Sequence, residues 1–331
     1  MILHPAILAL LASSLLIGTM VLYAAWYGVR IVVQWDGTSG SERQILLERR
    51  TYFVATIVNY FLVIQIASLF WLVYTADTLH TLFAGTMCAV GTFEVNRFGF
   101  PTVLIKLATS ILAGIWIILN HADNKGFDYP LIRVKYWFLI ILAPCIVVEN
   151  VVQWLFLVGL HPDIITSCCG SLFSPGGRNV AAEMAGAPIV PVLYVFFSVL
   201  ALTVVSGALF IIRGRGAVFF SLASVVTGAI SIEAVISALS VYLYELPSHH
   251  CPFCILQPEY HYIGYPIYGA ILTGVICGAG VGVLSLFRKI PSLAKDLPPF
   301  QRRLAVAAVV AFSILLVTAI AAITGSHYHV G

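Results

Sequence analysis

The chain has 331 residues, of which 60% are hydrophobic and only 9% carry charge, and its formal net charge is +3. So low a charged fraction excludes a soluble globular protein of this length, and so small a net charge gives no reason to expect a nucleic-acid partner. Several apolar runs exceed the roughly 18 residues that are needed to cross the hydrocarbon core of a membrane. The composition therefore predicts a polytopic integral membrane protein made of α-helices.

The first apolar run begins at the N-terminus, where the basic start of a secretory signal peptide is missing. The run continues to about Trp35, which is too long for the cleaved core of such a peptide, so we interpret it as a membrane helix. Seven similar runs follow. We expect an all-α bundle in a single membrane domain (1–331), with eight spans at about residues 6–30, 51–75, 101–120, 136–159, 189–212, 217–244, 266–287 and 304–324.

The basic residues indicate the orientation of these spans. Nearly all of the 17 lysines and arginines flank or occupy the connections after spans one, three, five and seven, and the exceptions are Arg97, Lys106 and Arg178. By the positive-inside rule these connections are cytoplasmic, so both chain termini are expected on the outer face. The expected location is a bacterial or archaeal plasma membrane, with lipid and an outer-face (periplasmic) protein as partners.

The outer loops carry most of the cysteines and share a sequence pattern. The first loop contains Cys88, the second contains Cys168 and Cys169, and the third contains Cys251 and Cys254. In the first and third loops Glu94 and Glu259 are each followed by Gly-aromatic-Pro at the same spacing, and Pro fits the first turn of a helix. We predict three related helical hairpins, at about residues 51–120, 136–212 and 217–287, flanked by spans 6–30 and 304–324.

Cys251-Pro-Phe-Cys254 is the densest group of reactive residues in the chain. Paired thiols at this spacing form a structural disulfide, a redox-active pair or a soft-metal site, and all three alternatives stay open at this point. The metal alternative has candidate ligands in Cys251, Cys254, His249, His250, Glu259 and Glu94. Covalent c-type haem is not expected, because Ile255 rather than His follows the motif.

Five cysteines in outer loops cannot all pair with one another within one chain. An exchange relay, a metal site or a mixed disulfide with a partner protein accommodates the odd number, whereas purely structural disulfides leave one cysteine over. The count therefore favours a chemical role for at least some of these residues.

Two carboxylates, Glu149 and Glu233, fall within predicted spans. A carboxylate in hydrocarbon costs about 2.5–3.5 kcal/mol even on lenient scales, so such residues are hypotheses for functional sites. They predict a proton or cation path or a quinone headgroup site. The alternative is an interhelical hydrogen bond with one carboxyl protonated. Lys106 is a candidate ion-pair partner.

Cys251-Pro-Phe-Cys254-Ile-Leu at the mouth of a membrane helix resembles the active-site segment of bacterial vitamin K epoxide reductase homologues. More loosely, it resembles the quinone-linked disulfide-bond-forming enzymes of the DsbB type. The resemblance implies that Cys251 and Cys254 form the quinone-proximal pair. It also implies that Cys168 and Cys169, or one of them with Cys88, exchange disulfides with a partner protein.

The leading hypothesis is thus a membrane thiol–disulfide oxidoreductase that uses a quinone or a partner protein, with Glu149 or Glu233 moving protons. One alternative is a membrane protein that binds or transports a soft transition metal through its outer loops. Another alternative is a non-catalytic anchor subunit of a respiratory or electron-transfer complex, whose loops are stapled by disulfides.

Overall fold

The computed structural model describes residues 3–36, 41–161, 173 and 180–328. In these ranges the regular structure is helical, without strands, and eight helical segments are long and apolar enough to cross a membrane. The predicted all-α polytopic bundle is confirmed. Its helices are α1 (Pro5–Gln34), α2 (Glu42–Leu79), α3 (Ala89–Glu94), α4 (Gly99–Asp123), α5 (Ile132–Val158), α6 (Val180–Ala185), α7 (Ile189–Arg213), α8 (Ala217–Ala234), α9 (Ser240–Tyr244), α10 (Gly264–Ser285) and α11 (Leu297–Gly325).

The Gly-x-Pro elements predicted to open helices do so. α4 begins at Gly99 and α10 begins at Gly264, each two residues before a proline, and Pro188 is the N-cap residue of α7. Proline fits there because the first backbone amides of a helix have no partner within it. The relation between the three hairpins stays a prediction.

The described part of the chain divides into two compact units. Unit 1 comprises residues 1–75, 96–160 and 286–300, and unit 2 comprises residues 76–95, 161–285 and 301–331. The helices α1, α4 and α5 and most of α2 form unit 1, whereas the end of α2 from residue 76 belongs to unit 2 together with α7, α8, α10 and most of α11.

Unit 1 packs α1, α2, α4 and α5 around an apolar core that includes Val21, Val58, Trp116 and Tyr136. The polar atoms of the two aromatic residues are satisfied, since the Trp116 indole donates to the Lys135 carbonyl oxygen and the Tyr136 hydroxyl donates to that of Thr51. Buried aromatic residues with a polar atom commonly find such a partner. The core thus ties α4 to α5 and α5 to α2.

Unit 2 brings α8 and α10 into very close contact through small residues. A Cβ atom built on Gly278 would lie 2.3 Å from Cβ of Ser224, and one on Gly282 would lie 2.5 Å from Cβ of Ser221. Such distances are far below van der Waals contact, so these two positions accept only glycine without a shift of the helices. Small residues at regular spacing allow membrane helices to approach closely where lipid gives no hydrophobic driving force between them.

The span predicted at 217–244 is interrupted by one π-helical turn, Val235–Leu239, between α8 and α9. The wider turn leaves the Ile236 carbonyl oxygen accessible, and it lies 2.9 Å from Ser240 Oγ and 3.1 Å from Nδ1 of His250. Single π-turns inside α-helices are often found at functional sites. Through its contact with His250, this turn adjoins the loop that carries the Cys-x-x-Cys motif.

Candidate thiol site

Three cysteine sulfurs converge in unit 2. The Sγ atoms of Cys88 and Cys251 lie 3.6 Å apart, and those of Cys88, Cys251 and Cys254 all lie within 4.8 Å of one another. The three residues are buried, with 0%, 0% and 5% of their surfaces exposed. The structure therefore brings the Cys-x-x-Cys motif together with Cys88, one of the three cysteines that were candidates for the shuttle pair. We call Cys88, Cys251 and Cys254 the thiol cluster.

Hydrogen bonds on both sides of Cys88 hold it against the motif. Asp77, at the end of α2, accepts from the Ala89 backbone amide through Oδ1 at 3.2 Å and from Nε2 of Gln257 at the same distance. The Gln257 amide also donates to the Met87 carbonyl oxygen at 2.8 Å. Because Gln257 follows Cys254 by three residues, one side chain connects both cysteine-bearing loops.

Further contacts anchor these loops. Thr92 Oγ1 donates to the Ala76 carbonyl oxygen at 2.7 Å, which fastens α3 to the end of α2, and the rings of Phe93 and Phe253 lie 5.5 Å apart. Gly91 passes so close to Thr86 that a Cβ atom would lie 2.4 Å from its methyl group. The position of Cys88 is therefore fixed from several directions.

Two tyrosine hydroxyls hold the backbone of the Cys-x-x-Cys motif. Tyr244, the last residue of α9, donates to the Cys251 carbonyl oxygen, and Tyr268, in the second turn of α10, donates to the Pro252 carbonyl oxygen, both at 2.5 Å. The chain then forms two short 3-10 turns, Cys254–Leu256 and Pro258–Tyr260, before α10 begins. Pro258 is compatible with this arrangement because it lacks the amide that a continuous helix requires.

Aromatic rings line the surroundings of the motif. The ring centroid of Tyr244 lies 4.5 Å from that of His249 and 4.7 Å from that of Tyr260. Burial, together with the neighbouring Cys254, Glu259 and Cys251, raises the pKa of the Tyr260 phenol above its usual value. The phenol therefore stays neutral at physiological pH and adds no charge beside the sulfurs.

The other predicted metal ligands do not join the thiol cluster. Within the described ranges, the group of potential ligand atoms consists of the three cysteine sulfurs and excludes His249, His250, Glu94 and Glu259. His250 is buried and faces two backbone carbonyl oxygens, of Ile236 and Pro247, each 3.1 Å from a ring nitrogen. His250 therefore links the Cys-x-x-Cys loop to the π-turn.

Cys168 and Cys169 lie outside the described residues. Their predicted role in a shuttle pair stays a prediction.

Glu149 lies in a separate buried polar group, in unit 1. Its Oε1 atom is 2.6 Å from Lys106 Nζ, and its Oε2 atom accepts from Gln65 and Thr109. Lys106 Nζ also donates to Gln153 Oε1 at 2.9 Å. Lys106 is thus the ion-pair partner of Glu149, as the sequence indicated, and the group joins α2, α4 and α5.

A second buried ion pair in unit 1 connects Lys135 Nζ with Asp123 Oδ2 at 2.6 Å. Lys135 also donates to Asn120 Oδ1 at 3.1 Å, and Asp123 Oδ1 accepts from the Leu131 backbone amide at 2.7 Å. The sequence placed Lys135 among the basic residues of a cytoplasmic flank and did not indicate that it pairs. Each of these two ion pairs therefore links α4 to α5.

Glu233 lies in α8 of unit 2 and is half-buried. Among the described residues its carboxylate forms no ion pair, and only its backbone carbonyl oxygen accepts a hydrogen bond, from Ser237. Glu149 and Glu233 thus have different surroundings, one within a hydrogen-bonded group and the other on a helix of the second unit.

Sequence reasoning missed four residues that position the thiol cluster, namely Asp77, Gln257, Tyr244 and Tyr268. The position of Asp77 could have indicated a role, since it is a single carboxylate at the outer end of a long apolar helix. The tyrosines gave no such signal, because tyrosine is common at membrane interfaces for its amphipathic ring alone.

Comparison of the chain with protein-family models, with curated proteins and with solved structures finds no match. The resemblance of the Cys-Pro-Phe-Cys loop to quinone-linked enzymes therefore rests on the few residues of that loop.

Proposed function

We propose that the thiol cluster is a thiol–disulfide exchange centre on the outer face of the membrane. The observation that supports it is the 3.6 Å distance between the sulfurs of Cys88 and Cys251. A disulfide bond needs sulfurs at about 2.05 Å, so this distance is a contact from which a bond can form after a small movement. Cys251 also belongs to a Cys-x-x-Cys pair, which gives it two alternative partners.

The exchange step conserves electrons. When Cys251 and Cys254 are joined, the thiolate of Cys88 attacks the Cys251 sulfur, the 88–251 bond forms and the 251–254 bond breaks. The electron pair of the broken bond leaves on the Cys254 sulfur, which is released as a thiolate and takes up a proton. The cluster thereby passes a disulfide from one pair of residues to another without net oxidation.

Net oxidation of a dithiol in this cluster requires an acceptor for two electrons and two protons. A quinone, which becomes a quinol, meets this requirement, and so does the disulfide of an outer-face protein, which becomes a dithiol. Both acceptors are part of the proposal.

Mapping of the cysteine pairs tests the proposal. After mild oxidation of the purified protein, Cys254→Ser should accumulate the 88–251 disulfide, and Cys88→Ser should accumulate the 251–254 disulfide, as measured by differential alkylation and peptide mass spectrometry. Cys277→Ser, which changes a cysteine within α10, should behave as the unmodified protein. Absence of an 88–251 disulfide in Cys254→Ser would contradict the proposal.

A soft-metal site is the second candidate, and the convergence of three sulfurs within 4.8 Å favours it. Thiolates are the preferred ligands of Cu(I) and are common ligands of Zn(II). Elemental analysis of protein purified without chelator separates the two candidates. A metal in stoichiometric amount that is lost in Cys251→Ala and that protects the cluster from alkylation would support the metal site and argue against exchange.

A further inference from the structure

A cavity of about 540 Å³ lies in unit 1 between α1 and the first turns of α2. Its polar walls are formed by two arginines and three tyrosines, and Phe53 is among the apolar side chains that complete it. The five polar residues are Arg49, Arg50, Tyr23, Tyr27 and Tyr52. The volume falls within the range of about 300–1,000 Å³ that is typical of small-molecule sites. The thiol cluster lies in the other unit, so the exchange proposal does not use this cavity.

The cavity carries positive charge that the described residues leave uncompensated. Neither Arg49 nor Arg50 forms an ion pair in the described ranges, and Glu48, which lies next to them in sequence, accepts a hydrogen bond from Gln44 at 3.0 Å. The guanidinium of Arg50 interacts with the hydroxyl of Tyr27. Two guanidinium groups with neighbouring phenol hydroxyls form a set of donors that suits an anion with several oxygens.

The residues around the cavity are of the kinds expected at the headgroup level of a membrane. Arg49 and Arg50 lie where the charged start of α2 gives way to its apolar part, and Tyr27 lies seven residues before the end of α1, or about 10 Å along the helix axis. Phe53, one turn further along α2, is 66% exposed, as expected for a side chain that faces lipid. Arginine and tyrosine are typical of this boundary.

Outside the cavity, the same end of α1 also places a basic side chain against aromatic rings. The guanidinium of Arg30 lies 4.0 Å from the ring centroid of Trp26, and the ring of Tyr23 lies 6.2 Å from that ring. The surface of α1 next to the cavity is therefore also rich in basic and aromatic residues. Anionic lipid headgroups are attracted to basic residues in this position.

We infer that this cavity binds the phosphate group of an anionic phospholipid, with Arg49 and Arg50 as its ligands and the tyrosine hydroxyls as additional donors. The apolar wall beside Phe53 contacts the glycerol and the upper part of the acyl chains. A soluble phosphate ester offers the same anionic group, so the experiment has to separate the two sources.

Lipid binding by the full chain in a non-ionic detergent tests the inference. Native mass spectrometry measures the affinity for phosphatidylglycerol and, as a neutral comparison, for phosphatidylcholine. We expect the unmodified protein to prefer phosphatidylglycerol, and Arg49→Gln combined with Arg50→Gln to weaken that binding roughly tenfold or more. The affinity for phosphatidylcholine should not change.

The matched control is Arg302→Gln combined with Arg303→Gln, which removes the same charge from exposed positions of α11 in unit 2. It should bind phosphatidylglycerol as the unmodified protein does. If the glutamine pair at the cavity does not fold, Arg49→Lys with Arg50→Lys keeps the charge but loses the planar fork, and an intermediate loss of affinity is expected.

Three results would overturn the inference. They are no preference for phosphatidylglycerol in the unmodified protein, an equal loss of affinity in the α11 control pair, and unchanged affinity in the glutamine pair or, where that pair does not fold, in the lysine pair. If millimolar inorganic phosphate binds and abolishes the preference for phosphatidylglycerol over phosphatidylcholine, the cavity is a site for a soluble phosphate compound and the lipid assignment is overturned.

Discussion

Cys88 and Cys251 are 163 residues apart in the chain, yet their sulfur atoms are 3.6 Å apart. The contact depends on a small hydrogen-bonded frame, in which Asp77 and Gln257 hold the backbone on either side of Cys88. This frame consists of ordinary polar residues, so its contribution can be measured by substitutions that leave every cysteine in place.

Gln257→Ala should reduce formation of the 88–251 disulfide. The substitution removes the hydrogen bonds to Asp77 and to the Met87 carbonyl oxygen, each worth about 0.5–1.5 kcal/mol or more where a charged group takes part. The loop that carries Cys88 should then move away from Cys251 in a larger fraction of molecules. The yield of the 88–251 disulfide, measured in a Cys254→Ser background, should fall severalfold.

Gln301→Ala is the control for that experiment. Its side-chain amide donates to the Val281 carbonyl oxygen at 2.9 Å in the same unit, so its loss should cost comparable stability. The yield of the 88–251 disulfide should nevertheless stay at the level of the background variant. Equal losses of disulfide in both glutamine variants would show that general destabilisation, and not the frame around Cys88, is responsible.

Substitutions of the buried pair Lys106 and Glu149 should have strongly non-additive effects on stability. Removing one partner of a buried ion pair costs about 3–5 kcal/mol because a charge remains without compensation. Lys106→Met and Glu149→Gln should therefore each lower the thermal unfolding temperature in detergent, whereas the double variant should recover much of the loss. Losses that simply add would mean that the two residues stabilise unit 1 independently.

Gly278→Ala should destabilise unit 2. The added methyl group would lie 2.2 Å from Ser224 Oγ, so α8 and α10 would have to separate, and overpacking of this kind typically costs about 1–3 kcal/mol. Gly269→Ala, in the same helix, is the control, because a Cβ atom there meets nothing within 4 Å. The unfolding temperature should fall for the first variant alone; a similar fall for both would point to the backbone and not to the helix contact.

Hydropathy predicted the number of long helices and most of their length. The main difference is at α2, which starts at Glu42 although its apolar part begins near residue 51. Glu48, Arg49 and Arg50 lower the hydropathy there, but they are good helix formers, so the helix extends beyond the apolar segment. A hydropathy window therefore predicts the membrane part of a helix and not the whole helix.

The candidate site was predictable in part. The Cys-x-x-Cys spacing identified Cys251 and Cys254, and the charge of Lys106 identified it as a partner for Glu149, because few cations lie within the spans. The sequence left the partner of the motif open between Cys88 and the two cysteines of the middle loop. Only the folded chain decides such long-range contacts, since spacing along the sequence contains no information on them.

The π-turn at Val235–Leu239 has a consequence for the angular register of everything that follows it. One residue more than an α-helical turn rotates the subsequent side chains by about 100° around the helix axis. Tyr244, five residues beyond the turn, donates to the Cys251 carbonyl oxygen in this rotated setting. Deletion of a single residue from the turn would make the helix regular, direct Tyr244 to a different neighbour and remove one of the two supports of the Cys-x-x-Cys backbone.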